Sequence, residues 1–111
     1  MGKSKKSTQN PWDFLEEYRG TFFDGEWPTL VEMFEISVSR YPNKRCFTAF
    51  APTEFTLTYS EAHDKIVEVA NYLVSKGIGP GVKVALTGKN SPEWAVAYLA
   101  VLYAGGIIVP L

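Results

Sequence analysis

Residues 82–110 read VKVALTGKNSPEWAVAYLAVLYAGGIIVP and contain the strongest indication of the fold class. Val82 to Thr87 is apolar enough for a buried strand, and the β-branched run from Ile107 to Val109 favours a second one. Between them, Ser91 is a suitable helix N-cap and Pro92 a suitable first helical residue. The pattern therefore predicts a strand–helix–strand unit, a right-handed crossover that joins two parallel strands.

The predicted helix, Pro92 to Ala104, is apolar nearly all round, so we expect it to be sandwiched inside a larger body. Cut from its partners, it should expose an apolar patch and promote self-association. Both strands are nearly all apolar, as in a sheet covered on both faces. The chain contains too few helices to cover both faces of a sheet. We therefore expect an incomplete sheet, and we interpret the chain as the N-terminal part of a larger α/β protein.

Trp94 to Leu111 comprises 18 residues without a charge, which is long enough to cross a bilayer as a helix. Gly105, Gly106 and Pro110 interrupt the run. A buried helix followed by a buried strand is therefore favoured over a transmembrane span.

Ahead of this unit, the pattern predicts a helix from Glu61 to Lys76, with Ser60 as its N-cap and Gly77 as its C-terminal stop. Two segments rich in threonine and aromatic residues precede it, Arg45 to Ala51 and Phe55 to Tyr59, and they predict a hairpin. The expected buried face of the helix consists of Ala62, Ile66, Val69, Ala70 and Leu73.

The first third of the chain contains two more helix signals. Thr29 followed by Glu32 three residues later is a capping box, and the helix that it begins should end before Pro42. Trp12 to Tyr18 is long enough for a short helix that ends at Gly20.

Composition limits the possible functions. The chain has 111 residues, of which 46% are hydrophobic and 21% charged, which fits one domain or part of one and excludes a disordered protein. A single cysteine, Cys46, excludes an internal disulfide and a multi-cysteine metal site. The net charge of −1 argues against nucleic-acid binding.

The positive charge is concentrated at the start. Residues 1–10 include Lys3, Lys5 and Lys6 and read as a disordered polar tail, not a secretory signal. Residues 11–111 then carry eight basic and twelve acidic side chains, a net charge of −4. We expect a cytoplasmic protein, and peripheral membrane contact stays open.

Two glycine-containing segments resemble phosphate-binding loops. Gly77 to Gly81 is not a dinucleotide fingerprint, because Val82 stands where the third glycine belongs and the segment leads from helix to strand. Gly88 to Ser91 has the right order, from strand to helix, where free N–H groups attract anions. It contains one glycine only, so an ordinary helix cap is the favoured interpretation.

No other residue has a complete catalytic context. His63 is the only histidine, and we expect it to face solvent on its helix. Cys46 follows Arg45, which would lower its pKa, but a strand position favours simple burial.

The glutamates and tryptophans also have ordinary structural explanations. The pairs Glu16/Glu17 and Glu32/Glu35 are expected to be solvated. Trp12, Trp27 and Trp94 are expected to anchor packing. The residues therefore predict no catalytic, cofactor-binding or metal-binding site.

Four segments, in order, resemble motifs of the adenylate-forming (AMP-binding) enzymes. They are Leu57 to Ala62 (LTYSEA), Gly77 to Leu86 (GIGPGVKVAL), Asn90 to Trp94 (NSPEW) and Leu99 to Leu111 (LAVLYAGGIIVPL). In the second, Val82-Lys83 replaces the usual Asp-Arg type pair. Residues 12–27 (WDFLEEYRGTFFDGEW), together with Thr29 and Leu30, look most like bacterial long-chain fatty acid–CoA ligases.

The resemblance implies an α/β fold, with residues 11–111 as a partial N-terminal lobe of an AMP-binding domain. It also implies a two-step acid–thiol ligase, which uses ATP and Mg to form an acyl-adenylate and then coenzyme A to form a thioester. The partners would be a fatty acid or other carboxylic acid and the rest of the same polypeptide.

The family's phosphate loop, adenine-binding strand, ribose-binding aspartate and catalytic lysine have no counterpart in this sequence. Lys89 does not replace that lysine, because its motif differs. The 111 residues are therefore expected to be inactive alone and to bind no cofactor. Two alternatives stay open: a stand-alone interaction or dimerisation module, and another acid–CoA ligase or a peptide-synthetase adenylation domain.

Overall fold

The computed structural model describes residues 10–111. The predicted polar tail, apart from Asn10, lies outside the described residues. The elements are a 3₁₀ helix (Asp13–Glu17), α1 (Leu30–Arg40), β1 (Arg45–Ala49), β2 (Phe55–Thr58), α2 (Tyr59–Ser75), β3 (Lys83–Leu86), α3 (Pro92–Tyr103) and β4 (Ile107–Pro110). The short first helix is thus confirmed, in the tighter 3₁₀ form.

The strands form two separate pairs. β1 and β2 are antiparallel, which confirms the hairpin. β3 and β4 are parallel, with Lys83 opposite Ile107 and Leu86 opposite Pro110, and α3 connects them. The predicted fold class is therefore correct: an α/β chain with a hairpin and a strand–helix–strand parallel unit in an incomplete sheet.

The main core lies between α2, α3 and the hairpin. Small side chains dominate it, so the two helices pack closely: Ala62 and Ala100 are completely buried, and so is Ile66. The cluster of buried residues is Leu57, Ala62, Ile66, Ala70, Val96, Ala100 and Ala104. Val69 and Leu73, two more residues of the predicted α2 face, are half-buried and pack against it.

A second, smaller core holds the N-terminal segment. Leu15 and Phe23 pack against the fully buried Ile36 of α1. The 3₁₀ helix and the loop after it are thereby fixed to the rest of the described chain.

One helix boundary was predicted wrongly. The N-cap of α2 is Thr58, not Ser60, because the Thr58 hydroxyl accepts a hydrogen bond from the backbone N–H of Glu61 (3.1 Å). The Glu61 carboxylate accepts in return from the Thr58 backbone N–H (2.9 Å). This reciprocal capping box satisfies two otherwise free N–H groups, and it outcompetes a single serine cap two residues later.

Two glycines are required by the backbone: Gly77 at the end of α2, and Gly106 after α3, where the chain passes close to the segment before β3. Gly77 has a φ of +97°, a left-handed conformation that favours glycine at a helix C-terminus. At Gly106 a Cβ would lie 3.1 Å from the Ile78 side chain and 3.3 Å from the Val82 carbonyl oxygen. Only glycine leaves room there for the chain to enter β4.

The uncharged C-terminal stretch forms α3 and β4, as expected. Among residues 10–111, no helix is long and apolar enough to cross a membrane. α3 lies between α2 and the parallel strands, which confirms its central position.

Apolar surface is exposed at several places in the described part of the chain. Most apolar side chains of α3 are half-buried, and Glu93 is the only residue of this helix that is mostly exposed. Among the more strongly exposed apolar side chains are Ile107 on the parallel strands (45% exposed) and Phe50 in the hairpin loop (78% exposed). One face of the β3–β4 pair is packed against other elements. No described element covers the opposite face, so that face is exposed.

Candidate functional site

The junction of β3 and α3 is the place where an open α/β sheet would bind an anion. Here the Ser91 hydroxyl accepts a hydrogen bond from the Trp94 backbone N–H (3.1 Å), so it is the helix cap predicted from the sequence. Lys89 and Asn90 are exposed in the loop before it. With the end of β1 and the hairpin loop, residues 48–53, this loop lines an open groove of about 470 Å³.

This groove does not have the donor set of a nucleotide site. Only Gly88 in the loop lacks a side chain, and the hydroxyl of Ser91 already occupies one of the free helix N–H groups. Over the described residues, no group of three or more His, Cys, Asp and Glu side chains lies close enough to hold a metal ion. The residues present therefore do not form an ATP or Mg site, and no chemical step is assigned to them.

The segment Gly77–Gly81 is a helix C-cap followed by a turn, as predicted. The Ile78 N–H donates to the Leu73 carbonyl (3.1 Å), and the Val82 N–H donates to the Gly79 carbonyl (3.0 Å). These hydrogen bonds belong to the connection from α2 to β3.

A polar cluster joins all three α-helices. Glu35 of α1 accepts a hydrogen bond from the Tyr103 hydroxyl of α3 and one from His63 Nε2 of α2 (2.6 Å), both at Oε2. The side chains of His63 and Glu35 are 28% and 38% exposed. The prediction of a solvent-facing histidine was therefore wrong, whereas Glu35 is partly exposed and also accepts hydrogen bonds from two other helices.

The cluster has the wrong chemistry for nucleophilic catalysis. Burial, and then the hydrogen bond to Glu35, raise the pKa of Tyr103 above its usual value, so its hydroxyl stays protonated and donates. The His63 and Tyr103 rings meet edge to face, with centroids 6.0 Å apart. The arrangement orients three helices relative to one another and holds no activated nucleophile.

Cys46 is a packing residue. It is half-buried against the main core. Burial raises the pKa of its thiol to about 11, whereas the neighbouring Arg45 would have lowered it. The interpretation as simple burial is thus supported, and the thiol is not an activated nucleophile.

The tryptophans divide into two groups. Trp94 is half-buried and packs on Tyr98, with ring centroids 5.3 Å apart, as expected of a packing anchor. Trp12 and Trp27 are 48% and 58% exposed and contact each other beside the 3₁₀ helix. The sequence patterns did not indicate this surface pair, because the residues between the two tryptophans show no regular periodicity.

Known proteins resemble this chain over most of its length. A family model described as AMP-binding enzyme matches residues 34–111. Tyrocidine synthase 3 of Brevibacillus parabrevis is 37% identical over 83 residues, and long chain acyl-CoA synthetase 2 of Arabidopsis thaliana is 32% identical over 97 residues. These matches cover 75% and 82% of the chain, but it spans only 1% and 14% of the length of the two relatives.

A solved structure has the same arrangement. The fatty acid AMP ligase from Legionella pneumophila superposes with a TM-score of 0.70 at 28% identity. The superposition covers 84% of this chain and 16% of that one.

Proposed function

The chain belongs to the family of AMP-binding enzymes, and on that premise we propose that it is the N-terminal scaffold of a long-chain fatty acid–CoA ligase. The complete enzyme would convert a fatty acid, ATP and coenzyme A into acyl-CoA, AMP and pyrophosphate. This chain would contribute the hairpin and the strand–helix–strand unit against which the remaining polypeptide packs.

The extent of the fatty-acid matches carries the proposal. The family model begins at Phe34 and runs to Leu111. The fatty acid AMP ligase and the long chain acyl-CoA synthetase match 84% and 82% of the chain, so their similarity extends well ahead of Phe34. It therefore takes in part of the aromatic-rich segment 12–27. The match to tyrocidine synthase 3 is shorter and covers 75% of the chain.

The second candidate is an adenylation enzyme for amino acids. The higher identity to tyrocidine synthase 3, 37% against 32%, favours it. The two candidates share the adenylation step and differ in the acid and in the acceptor thiol.

An exchange assay separates them. The full-length protein would be incubated with ATP, labelled pyrophosphate and a panel of long-chain fatty acids, aryl acids and amino acids, and acyl-CoA formation would then be measured with the acids that stimulate exchange. Exchange with long-chain acids and acyl-CoA formation are expected. Exchange with amino acids alone would reject the fatty-acid proposal and favour the second candidate.

The 111-residue chain would be assayed in parallel, and we expect no exchange because the resemblance implies that the phosphate loop and the catalytic lysine lie outside this sequence. Turnover by the isolated chain would contradict the scaffold role.

A further inference from the structure

Beside the 3₁₀ helix, the two exposed tryptophans form the walls of a small cleft. The ring centroids of Trp12 and Trp27 are 6.1 Å apart, and the ring planes are inclined by 69°. The cleft has a volume of about 220 Å³, and carboxylates stand around it. Its lining residues are Trp12, Asp13, Leu15, Glu16, Arg19, Glu26 and Trp27.

We propose that this cleft binds a quaternary ammonium group. Trp12 and Trp27 both line this one small volume, and indole rings attract organic cations. Three acidic side chains against one arginine give the lining a formal charge of −2. The cleft shares no lining residue with the groove at the β3–α3 junction.

The arginine in the lining is held by other groups. Its guanidinium makes two hydrogen bonds to the Glu16 carboxylate, from Nε (3.1 Å) and from Nη2 (2.9 Å). It also donates to the carbonyl oxygens of Gly25 and Glu26. The positive charge of Arg19 is therefore largely compensated by these oxygens, and Asp13 and Glu26 supply the net negative charge.

These contacts also fix the cleft in shape. Arg19 ties the loop that carries Trp27 to the 3₁₀ helix next to Trp12, and its guanidinium lies 4.8 Å from the centre of the Phe23 ring. Phe23 is buried in the second core. The two tryptophans are thus positioned before a ligand arrives, which lowers the entropy cost of binding.

The chemistry selects among cations. A hard metal ion needs several oxygen ligands, and no such group of side chains exists in the described part of the chain. A primary ammonium is strongly hydrated, and transfer to an aromatic surface removes part of that hydration. A quaternary ammonium has no N–H group to leave unsatisfied, so a site lined by two partly exposed indoles suits it best.

The first test is a fluorescence titration of the purified full-length protein with tetramethylammonium chloride and with choline. The titration uses the Trp94→Phe variant, so that Trp12 and Trp27 are the tryptophans of this segment that contribute fluorescence. Trp94 packs elsewhere, on Tyr98. Saturable quenching with millimolar affinity is expected. The neutral isostere 3,3-dimethyl-1-butanol is the control, and saturation by this alcohol at the same concentration as choline would overturn the proposal.

Variants of the cleft then locate the site. Trp27→Ala should weaken choline binding by about threefold or more, and Trp27→Phe by less, because phenylalanine attracts cations less strongly than tryptophan. Asp13→Asn combined with Glu26→Gln leaves the aromatic pair in place and tests charge alone; it should also weaken binding. If Trp27→Ala does not fold, the other two variants carry the test, and unchanged affinity in both would overturn the proposal.

A vesicle experiment distinguishes two sources of the ligand group. Binding to phosphatidylcholine vesicles, but not to phosphatidylglycerol vesicles, would identify a lipid headgroup. Binding to choline without vesicle binding would support a soluble ligand. Absence of binding to tetramethylammonium, choline and phosphatidylcholine alike would reject the quaternary ammonium site.

Discussion

Replacing Tyr103 by phenylalanine tests whether the polar cluster holds the three helices together. The change removes one hydroxyl and keeps the ring, which packs edge to face on Phe34 and on His63. Glu35 then loses one of its two donors. A hydrogen bond to a charged group contributes about 1.5–3 kcal/mol, and partial exposure of Glu35 and His63 reduces this to roughly 1 kcal/mol.

Urea unfolding and thermal unfolding of the chain would measure the effect. A loss of about 1 kcal/mol corresponds to a decrease of roughly 4 °C or more in the unfolding midpoint for a domain of this size. Tyr72→Phe on α2 is the matched control, since Tyr72 is 60% exposed. Equal stability of the Tyr103 and Tyr72 variants would refute the role of the cluster.

A double-mutant cycle with Glu35→Gln assigns the energy to the pair. If the hydroxyl and the carboxylate interact directly, the two substitutions together should cost less than the sum of their separate costs, with a coupling of about 1 kcal/mol. Additive costs would show that Tyr103 acts through packing alone.

The Tyr103 hydroxyl should make the free energy of unfolding depend on pH in the alkaline range. The folded state raises the pKa of Tyr103, so above about pH 10, where an unfolded tyrosine ionises, the unfolded chain binds fewer protons than the folded chain. The free energy of unfolding therefore decreases as the pH rises through this range. Tyr103→Phe should lose this contribution while Tyr72→Phe keeps it, and parallel pH profiles of the two variants would contradict the assignment.

Three further outcomes follow from the fold. Thr58→Ala should destabilise the chain by about 1 kcal/mol, whereas Ser60→Ala should change stability by less than about 0.5 kcal/mol in urea unfolding; the reverse order would restore Ser60 as the cap. Ile66→Ala should cost about 2–5 kcal/mol in the same assay, against little for the exposed Val74→Ala on the same helix; similar costs for both would contradict the assigned core. Alkylation of Cys46 at pH 8 should be about 100-fold slower in the folded chain than in urea, because burial raises the thiol pKa from 9.0 to about 11; equal rates would contradict this burial.

The local elements were predictable because each depends on residues close together in the sequence. The Thr29 capping box, the Ser91-Pro92 helix start and the Gly77 stop require contacts within a few residues, and the structure contains all three. The error at the start of α2 arose where a strand runs directly into a helix. Thr58 is at once the last strand residue and the N-cap, and a second hydroxyl at Ser60 matched the same pattern.

The cluster of Glu35, His63 and Tyr103 depended on packing. His63 and Tyr103 lie 28 and 68 residues from Glu35, and no local pattern indicates that they meet. The close packing of α2 and α3 through alanines brings these side chains together. The same holds for Trp27, which faces Trp12 because Arg19 bonds to two backbone carbonyls of the intervening loop.

The sequence by itself determined the order of helices and strands, the parallel unit and the resemblance to AMP-binding enzymes, since these depend on periodicity, caps and motifs along the chain. Which polar groups find partners, and which aromatic side chains stay exposed, became known from the folded arrangement. The reason is physical: burial and hydrogen bonding depend on distances in space, and residues far apart in the sequence set those distances when they pack.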